Sequence, residues 1–457
     1  MQPMNGRAAR WKDALRTQLW PLPAAGVAVA VALGLMVPAL DAALEGQLPD
    51  GIAVLLFSGG PEAARAVLQA IAGSLITVTS LTFSLTVVTL QLASSQFSPR
   101  LLRTFTSDRF VHVTLALFLA TFAFSLTVLR SVRDEANGTE AFVPEMSVTI
   151  AFVLAIASVI GLVLFLAHLT REIRVETMMR RVNVETQDTM DRVFPGDRPD
   201  RGPEPDPGPG QEVFPIRSAQ SGFLTSVDKE SLVRAAADAG VVLRLDREPG
   251  SSLVKGVPFA TAWPLTAGAT FTAAIRDELG ASVNAAVATG FERTNVQDVG
   301  FGFRQLVDVA ARALSPGIND PTTAVHIIGH LSALLCRLAG RDPGPEHLTD
   351  DAGRVRVVLA LPTFKDFLDM AMNQPRLYGA ADPDVAGRLL ALLQELSGCD
   401  RNGHYRTEIL EHRGRMRLAI DAGKFSPAER RHLLDLADAV GSAQPFGIKH
   451  QATPDGT

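Results

Sequence analysis

The chain has 457 residues, 47% of them hydrophobic, a formal net charge of −5 and two cysteines. That balance gives no basic footprint for nucleic acid. Two distant thiols, Cys336 and Cys399, make neither a disulfide framework nor a Cys-rich metal site. The long apolar runs fall in roughly the first 170 residues, and the remainder has the composition of soluble protein.

Residues 1–20 form a basic N-terminal segment with Arg7, Arg10, Lys12 and Arg16. It lacks the small-residue cleavage site of a secretory signal. A four-helix transmembrane domain is predicted over 21–169, with spans at Pro21–Leu40, Ala63–Ser98, Phe110–Leu129 and Met146–Leu169. Basic residues stand before the first span, between the second and third, and after the fourth. Acidic residues fill the other two connections. This pattern predicts a multi-pass protein of a bacterial inner membrane with both termini cytoplasmic.

The second span stands out by its hydroxyls. At about 100° per residue, Thr77, Ser80, Ser84, Gln91 and Ser95 share one face. Thr79, Thr82, Thr86 and Thr89 share the opposite one. Such a face serves either helix packing or the lining of a polar path. No Asp, Glu, Lys or Arg lies mid-span, which argues against a proton-coupled pump but not against a passive channel.

A juxtamembrane helix is predicted over 170–194, a Pro/Gly/Asp linker over 195–210 and a small β module over 211–266. The run SGFLTSVD…LVRAAADAGVVLRLDREPGSSLVKGVPFA is similar to barrel-sandwich modules of the biotinyl-lipoyl type. It lacks their modification lysine between two methionines, so a β scaffold is implied and no covalent cofactor. A mainly helical cytoplasmic domain follows over 267–442, with a strand at Arg354–Leu361, and a polar tail over 443–457. The expected fold class is therefore an α-helical membrane bundle plus a cytoplasmic α+β region.

Within the helical part, Arg304, Asp308 and Arg312 recur at intervals of four and share a helix face. Pro316-Gly317 ends that helix, and Asp320 is placed to cap the next, with Pro321 in its first turn. Arginines near a capped helix start, with Asn319 and Asp320, make a site for an anion or partner; an ordinary turn with an ion-pair ladder explains the same residues. His326 and His330 have the i, i+4 spacing of metal ligands, but no third ligand and no catalytic Glu accompany them. No phosphate-binding loop, nucleophile elbow or dinucleotide fingerprint is present, and nothing marks the chain as an enzyme or implies a cofactor.

Two motifs, SLITVTSLTFSLTVVTLQLASSQFSPRLLRTF and VQDVGFGFRQLVDVAARALSPGINDPTTA, resemble the bacterial predicted membrane protein family called domain of unknown function 2254. The resemblance implies a four-span inner-membrane protein with a cytoplasmic region, and carries no catalytic residues with it. Two functional readings follow. In the first, a homo-oligomer in the lipid bilayer forms a pore or passive transport path lined by the second span. In the alternative, the spans anchor a sensor or scaffold whose cytoplasmic domain binds a partner or small anion.

Overall fold

A computed structural model describes residues 20–44, 56–96, 108–134, 141–172, 174–196, 205–208, 211–266, 268–400 and 402–441. The basic N-terminal segment, most of the linker and the polar tail lie outside them. The chain divides into two compact units, residues 1–178 and 179–457.

The first unit contains α1 (Pro21–Leu44), α2 (Pro61–Gln96), α3 (Arg109–Leu129) and α4 (Glu145–Glu172). α3 packs against the other three and is half buried along its span. Its Phe118, Phe124 and Val128 meet Leu68, Leu75, Ala30 and Ala151 from its neighbours. At Gly34 of α1 an added Cβ would come within 2.8 Å of the Thr127 Cβ of α3, so glycine is what lets these two helices approach.

Polar contacts tie both ends of this bundle. At one end the Asp41 carboxylate accepts from the backbone N–H groups of Met146 and Ser147, both at 3.1 Å, and from the Ser147 hydroxyl at 2.7 Å. It thus serves donors that the first turn of α4 leaves unpaired. Arg65 pairs with Asp134 nearby. At the other end Asp108 caps α3 through Phe110 N–H and takes His168 Nε2 at 2.6 Å. The outer face of α4 is apolar: Phe152, Val153, Ile156, Ile160 and Val163 are all exposed.

α5 (Val175–Val193) follows α4 in the chain. From Met179 onward it belongs to the second unit, where it is docked by partners distant in sequence. Asn183 Nδ2 meets His330 Nδ1 at 3.1 Å, Asn295 donates to Glu185 at 2.9 Å, and Thr189 donates to the carbonyl of Asn295 at 2.7 Å. Asp191 accepts from Arg337 at 2.8 Å and Arg341 at 2.9 Å.

The second unit continues with β1 (Phe214–Arg217), β2 (Gly222–Val227), α6 (Lys229–Asp238), β3 (Val241–Leu245), β4 (Ser252–Leu253), β5 (Pro258–Pro264), α7 (Ala273–Ala286) and β6 (Val287–Gly290). Next come α8 (Val299–Ala313), α9 (Pro321–Ala339), β7 (Glu346–Thr349), β8 (Val355–Leu359), α10 (Phe364–Gly379), α11 (Pro383–Cys399), α12 (Arg406–Ala422) and α13 (Pro427–Ala439).

One sheet has the strand order β1-β5-β3-β8-β7, and a smaller one the order β4-β2-β6. Only the β3–β8 pairing of the larger sheet is parallel. β1 and β2 are consecutive yet enter different sheets. The stretch 211–266 therefore does not close on itself as a barrel-sandwich would; it takes β6, β7 and β8 from later in the chain. Leu232, Leu243, Phe259, Val283 and Val357 are fully buried in its core.

The helices from α8 onward pack against one another. Five helices in the described residues, α1–α4 and α9, are long and apolar enough to cross a membrane by length and composition. α9 is packed against α8, α10 and α11, with Ile327, Ile328, Leu331 and Leu334 buried among them.

Candidate functional site

The sites expected from sequence are placed as follows. Thr77, Ser80, Ser84 and Gln91 lie on an exposed face of α2; the Ser95 side chain lies outside the described residues. Three of these hydroxyls are satisfied by their own helix: Thr77 donates to Gly73 O, Ser80 to Ile76 O and Ser84 to Ser80 O, at 2.9–3.1 Å. The opposite face turns inward, with Thr82, Thr86 and Thr89 buried. The Thr82 hydroxyl has no partner among the described residues.

Arg304, Asp308 and Arg312 lie half-buried along α8. Asn319 sits in the following turn with a left-handed φ of 49°. Asp320 caps α9, accepting from Thr323 N–H at 3.0 Å and the Thr323 hydroxyl at 2.5 Å. Those bonds, the hydroxyl first, hold its carboxyl below the usual range. Its negative charge is thus committed to the helix start. His326 and His330 share a side of α9; burial pushes His330 below its ordinary value, with the His326 charge adding to it. No group of three or more His, Cys, Asp and Glu suited to a metal occurs among the described residues.

The structure also holds a cavity that no local motif announces. It measures about 270 Å³ and lies where the parallel pair β3 and β8 ends, at Leu245 and Leu359. The carboxyl ends of parallel strands are where α/β sheets place ligands, because the connecting segments diverge there and leave a crevice. Lys229 and Glu346 stand on its wall, the ammonium bridging both carboxylate oxygens at 2.7 and 2.8 Å. Gln297 pins another wall, accepting from Val227 N–H at 2.8 Å and donating to Val227 O at 3.1 Å. The last residues of α5, Arg192 and Val193, close a further side, and Arg247 enters from the turn after β3.

That turn has a rigid foundation. Asp298 is 4% exposed. It caps α8 through Phe301 N–H at 2.9 Å and holds Arg293 in two hydrogen bonds of 2.8 and 3.0 Å. Gly250 has a φ of +94°, and an added Cβ would stand 2.1 Å from an Asp298 carboxylate oxygen, so both backbone conformation and space demand glycine. Burial pushes the Asp298 carboxyl up to about 6 despite the opposing Arg293 charge. Glu248, between Arg247 and Pro249, is raised to about 6 by burial first and then by the charges of Asp298 and Asp366.

The family described as predicted membrane protein (DUF2254) matches residues 16–395, which takes in all four bundle helices, the cavity and most of the helices from α8 onward. The chain belongs to this family. DUF2254 relatives include uncharacterized proteins of Mycobacterium bovis and Mycobacterium tuberculosis. Each is 37% identical over 391 residues, covering 85% of this chain and 73% of the relative. No solved structure matches the chain.

Sequence reasoning missed the cavity because its lining comes from α5, β2, α6, β3, the β3–β4 turn, the segment before α8, β7 and β8. The signal that was available is the pair Pro249-Gly250, a dipeptide that marks a turn and that here follows the cavity-lining Arg247.

Proposed function

We propose that the protein is a multi-pass inner-membrane protein of four spans with cytoplasmic termini. Its second unit senses a small ligand in the cavity, and α5 relays occupancy to the spans. The observation that carries this reading is the path of α5: it follows α4 in the chain, and its last residues form part of the cavity wall. A ligand touching Arg192 and Val193 would favour the docked state of α5 over the undocked one, and differential affinity of this kind is what any ligand-driven switch requires. Charge flanks favour four spans. The side chains of α9 engage polar groups of the second unit, His330 with Asn183, Ser332 with Glu395 and Arg337 with Asp191, which supports α9 as a core helix outside the bilayer.

The test is hydrogen exchange of the full chain in phosphatidylcholine nanodiscs, with hexyl phosphate or hexanol as probe. Slower exchange of residues 179–193 under a saturating probe is expected. Binding without any change in that segment would overturn the relay.

A second reading, the oligomeric pore, is favoured by one observation: Thr77, Ser80, Ser84 and Gln91 are exposed on α2, where a second copy would cover them. Ion or solute flux in liposomes, abolished by replacing Thr77, Ser80 and Ser84 with Leu, would support it. Absence of flux at every voltage and ionic condition would remove it.

A further inference from the structure

We infer that the cavity is built for a small amphiphilic anion, a carboxylate or phosphate carried on a short apolar body. This rests on the sensing reading above and names the ligand class of that same cavity. Three cations reach it, Arg192, Lys229 and Arg247, against one carboxylate, Glu346. Lys229 and Glu346 satisfy each other, which leaves the two guanidiniums. Arg192 places one nitrogen on the Thr189 hydroxyl at 2.9 Å, and the rest of its fork remains. The Arg247 guanidinium has no hydrogen-bond partner among the described residues. A planar fork of N–H donors matches a carboxylate or phosphate in a bidentate way that a neutral ligand does not reproduce.

The acids next to this site do not cancel it. Asp298 is committed to Arg293 and the α8 cap, and neither Asp298 nor Glu248 lines the cavity. Arg247 stands on a turn fixed by Gly250, so its backbone is already ordered and only side-chain freedom is lost when it engages a ligand. The other walls are apolar, supplied by Val193, Leu245, Leu359 and Leu361. An inorganic anion alone would leave those walls wet, whereas a short alkyl or aryl body would bury them. The volume of about 270 Å³ is at the small end of ligand cavities, which run to about 1,000 Å³. It suits a compact metabolite or the headgroup region of a lipid better than a dinucleotide.

The experiment is calorimetric titration of the full chain in phosphatidylcholine nanodiscs with hexyl phosphate, hexanoate, hexanol and inorganic phosphate. Hexyl phosphate and hexanoate should bind saturably. Hexanol, lacking the charge, and phosphate, lacking the apolar body, should each bind about tenfold more weakly or worse. Arg247→Gln and Arg192→Gln should each weaken hexyl phosphate about tenfold with an unchanged melting temperature. Arg247→Lys, which keeps the charge and loses the fork, should fall between. Hexanol binding as tightly as hexyl phosphate, or unaltered binding to the folded Arg192→Gln/Arg247→Gln protein, would overturn the assignment.

Repeating the titration in phosphatidylglycerol nanodiscs identifies the source. Weaker apparent binding there marks the anion as lipid-borne, and equal binding marks it as free. The two proposals fail separately. Tight hexanol binding with slowed α5 exchange would end the anion assignment and leave the relay. Tight hexyl phosphate binding with unchanged α5 exchange would do the reverse.

Discussion

α2 and α5 both carry polar stripes, but α5 adds distant partners to the local bonds that its Thr186 and Thr189 hydroxyls make within the helix. Along α2, the hydroxyls of Thr77, Thr79, Ser80, Ser84, Thr86 and Thr89 each return to a carbonyl four residues earlier in the same helix. Along α5, Asn183, Glu185, Thr189 and Asp191 reach partners more than 100 positions away. Local satisfaction lets a helix stand in lipid with any neighbour or none. Long-range satisfaction fixes a helix in one place, and losing that place leaves polar groups unpaired. Polar content alone therefore does not reveal which helix is committed to its surroundings.

The sharpest way to break this contrast is at Gly302. A Cβ there would lie 1.8 Å from the Thr186 hydroxyl of α5, so Gly302→Val must push α5 off α8. The expected cost is about 3 kcal/mol or more, read as a lower melting temperature and fast exchange over residues 179–193. An unchanged melting temperature would show that α5 is not held there.

Asp298→Ala comes next. It strands the buried end of Arg293 and removes the cap of α8, for a loss of about 3 kcal/mol by chemical denaturation.

Glu248→Gln should act in the other direction. The Glu248 carboxyl is raised from 4.5 to about 6 in the fold, so the folded protein binds this proton more tightly than the unfolded chain. Stability is therefore lost as the pH rises from the unfolded value of 4.5 through the folded value of about 6, and the cost is absent below 4.5. The Gln variant should be more stable than the parent by about 1 kcal/mol at neutral pH, after allowance for solvent screening. The advantage should vanish as the pH falls to that lower value.

The smallest effect is expected on α2. Ser80→Ala and Ser84→Ala remove hydroxyls bonded only within the helix, so each should change stability by less than about 0.5 kcal/mol. A loss of several times that would mean a partner covers this face.

Much of the bundle is legible in the sequence because lipid-facing helices must be long, apolar and flanked by charge. α2, α3 and α4 begin and end close to the runs that announced them. The Asp320 cap was also legible, since a cap needs only its own helix start. Structure that depends on distant partners was not. Val287–Gly290 reads as a continuation of α7, yet becomes β6 because β2 offers its edge. Glu346–Thr349 carries no clear strand pattern and is ordered by pairing with β8. Gly302 looks like a weak point in a helix until Thr186 is seen against it. The cavity has the same character: Arg192, Arg247 and Lys229 are unremarkable surface cations until three separate segments bring them together.

The link between α5 and the cavity can be tested most directly through Asp191, which pairs with Arg337 and Arg341 and does not line the cavity. Coupling between docking and ligand is reciprocal, so lowering the docked fraction of α5 must lower the apparent affinity for the ligand. The measurement is the affinity of the full chain for hexyl phosphate with and without Asp191→Ala. A several-fold loss of affinity in a protein whose sheets remain folded is the predicted result. Equal affinities in a variant whose residues 179–193 exchange faster than the parent's would contradict the relay, because α5 could then leave its place without the cavity registering it.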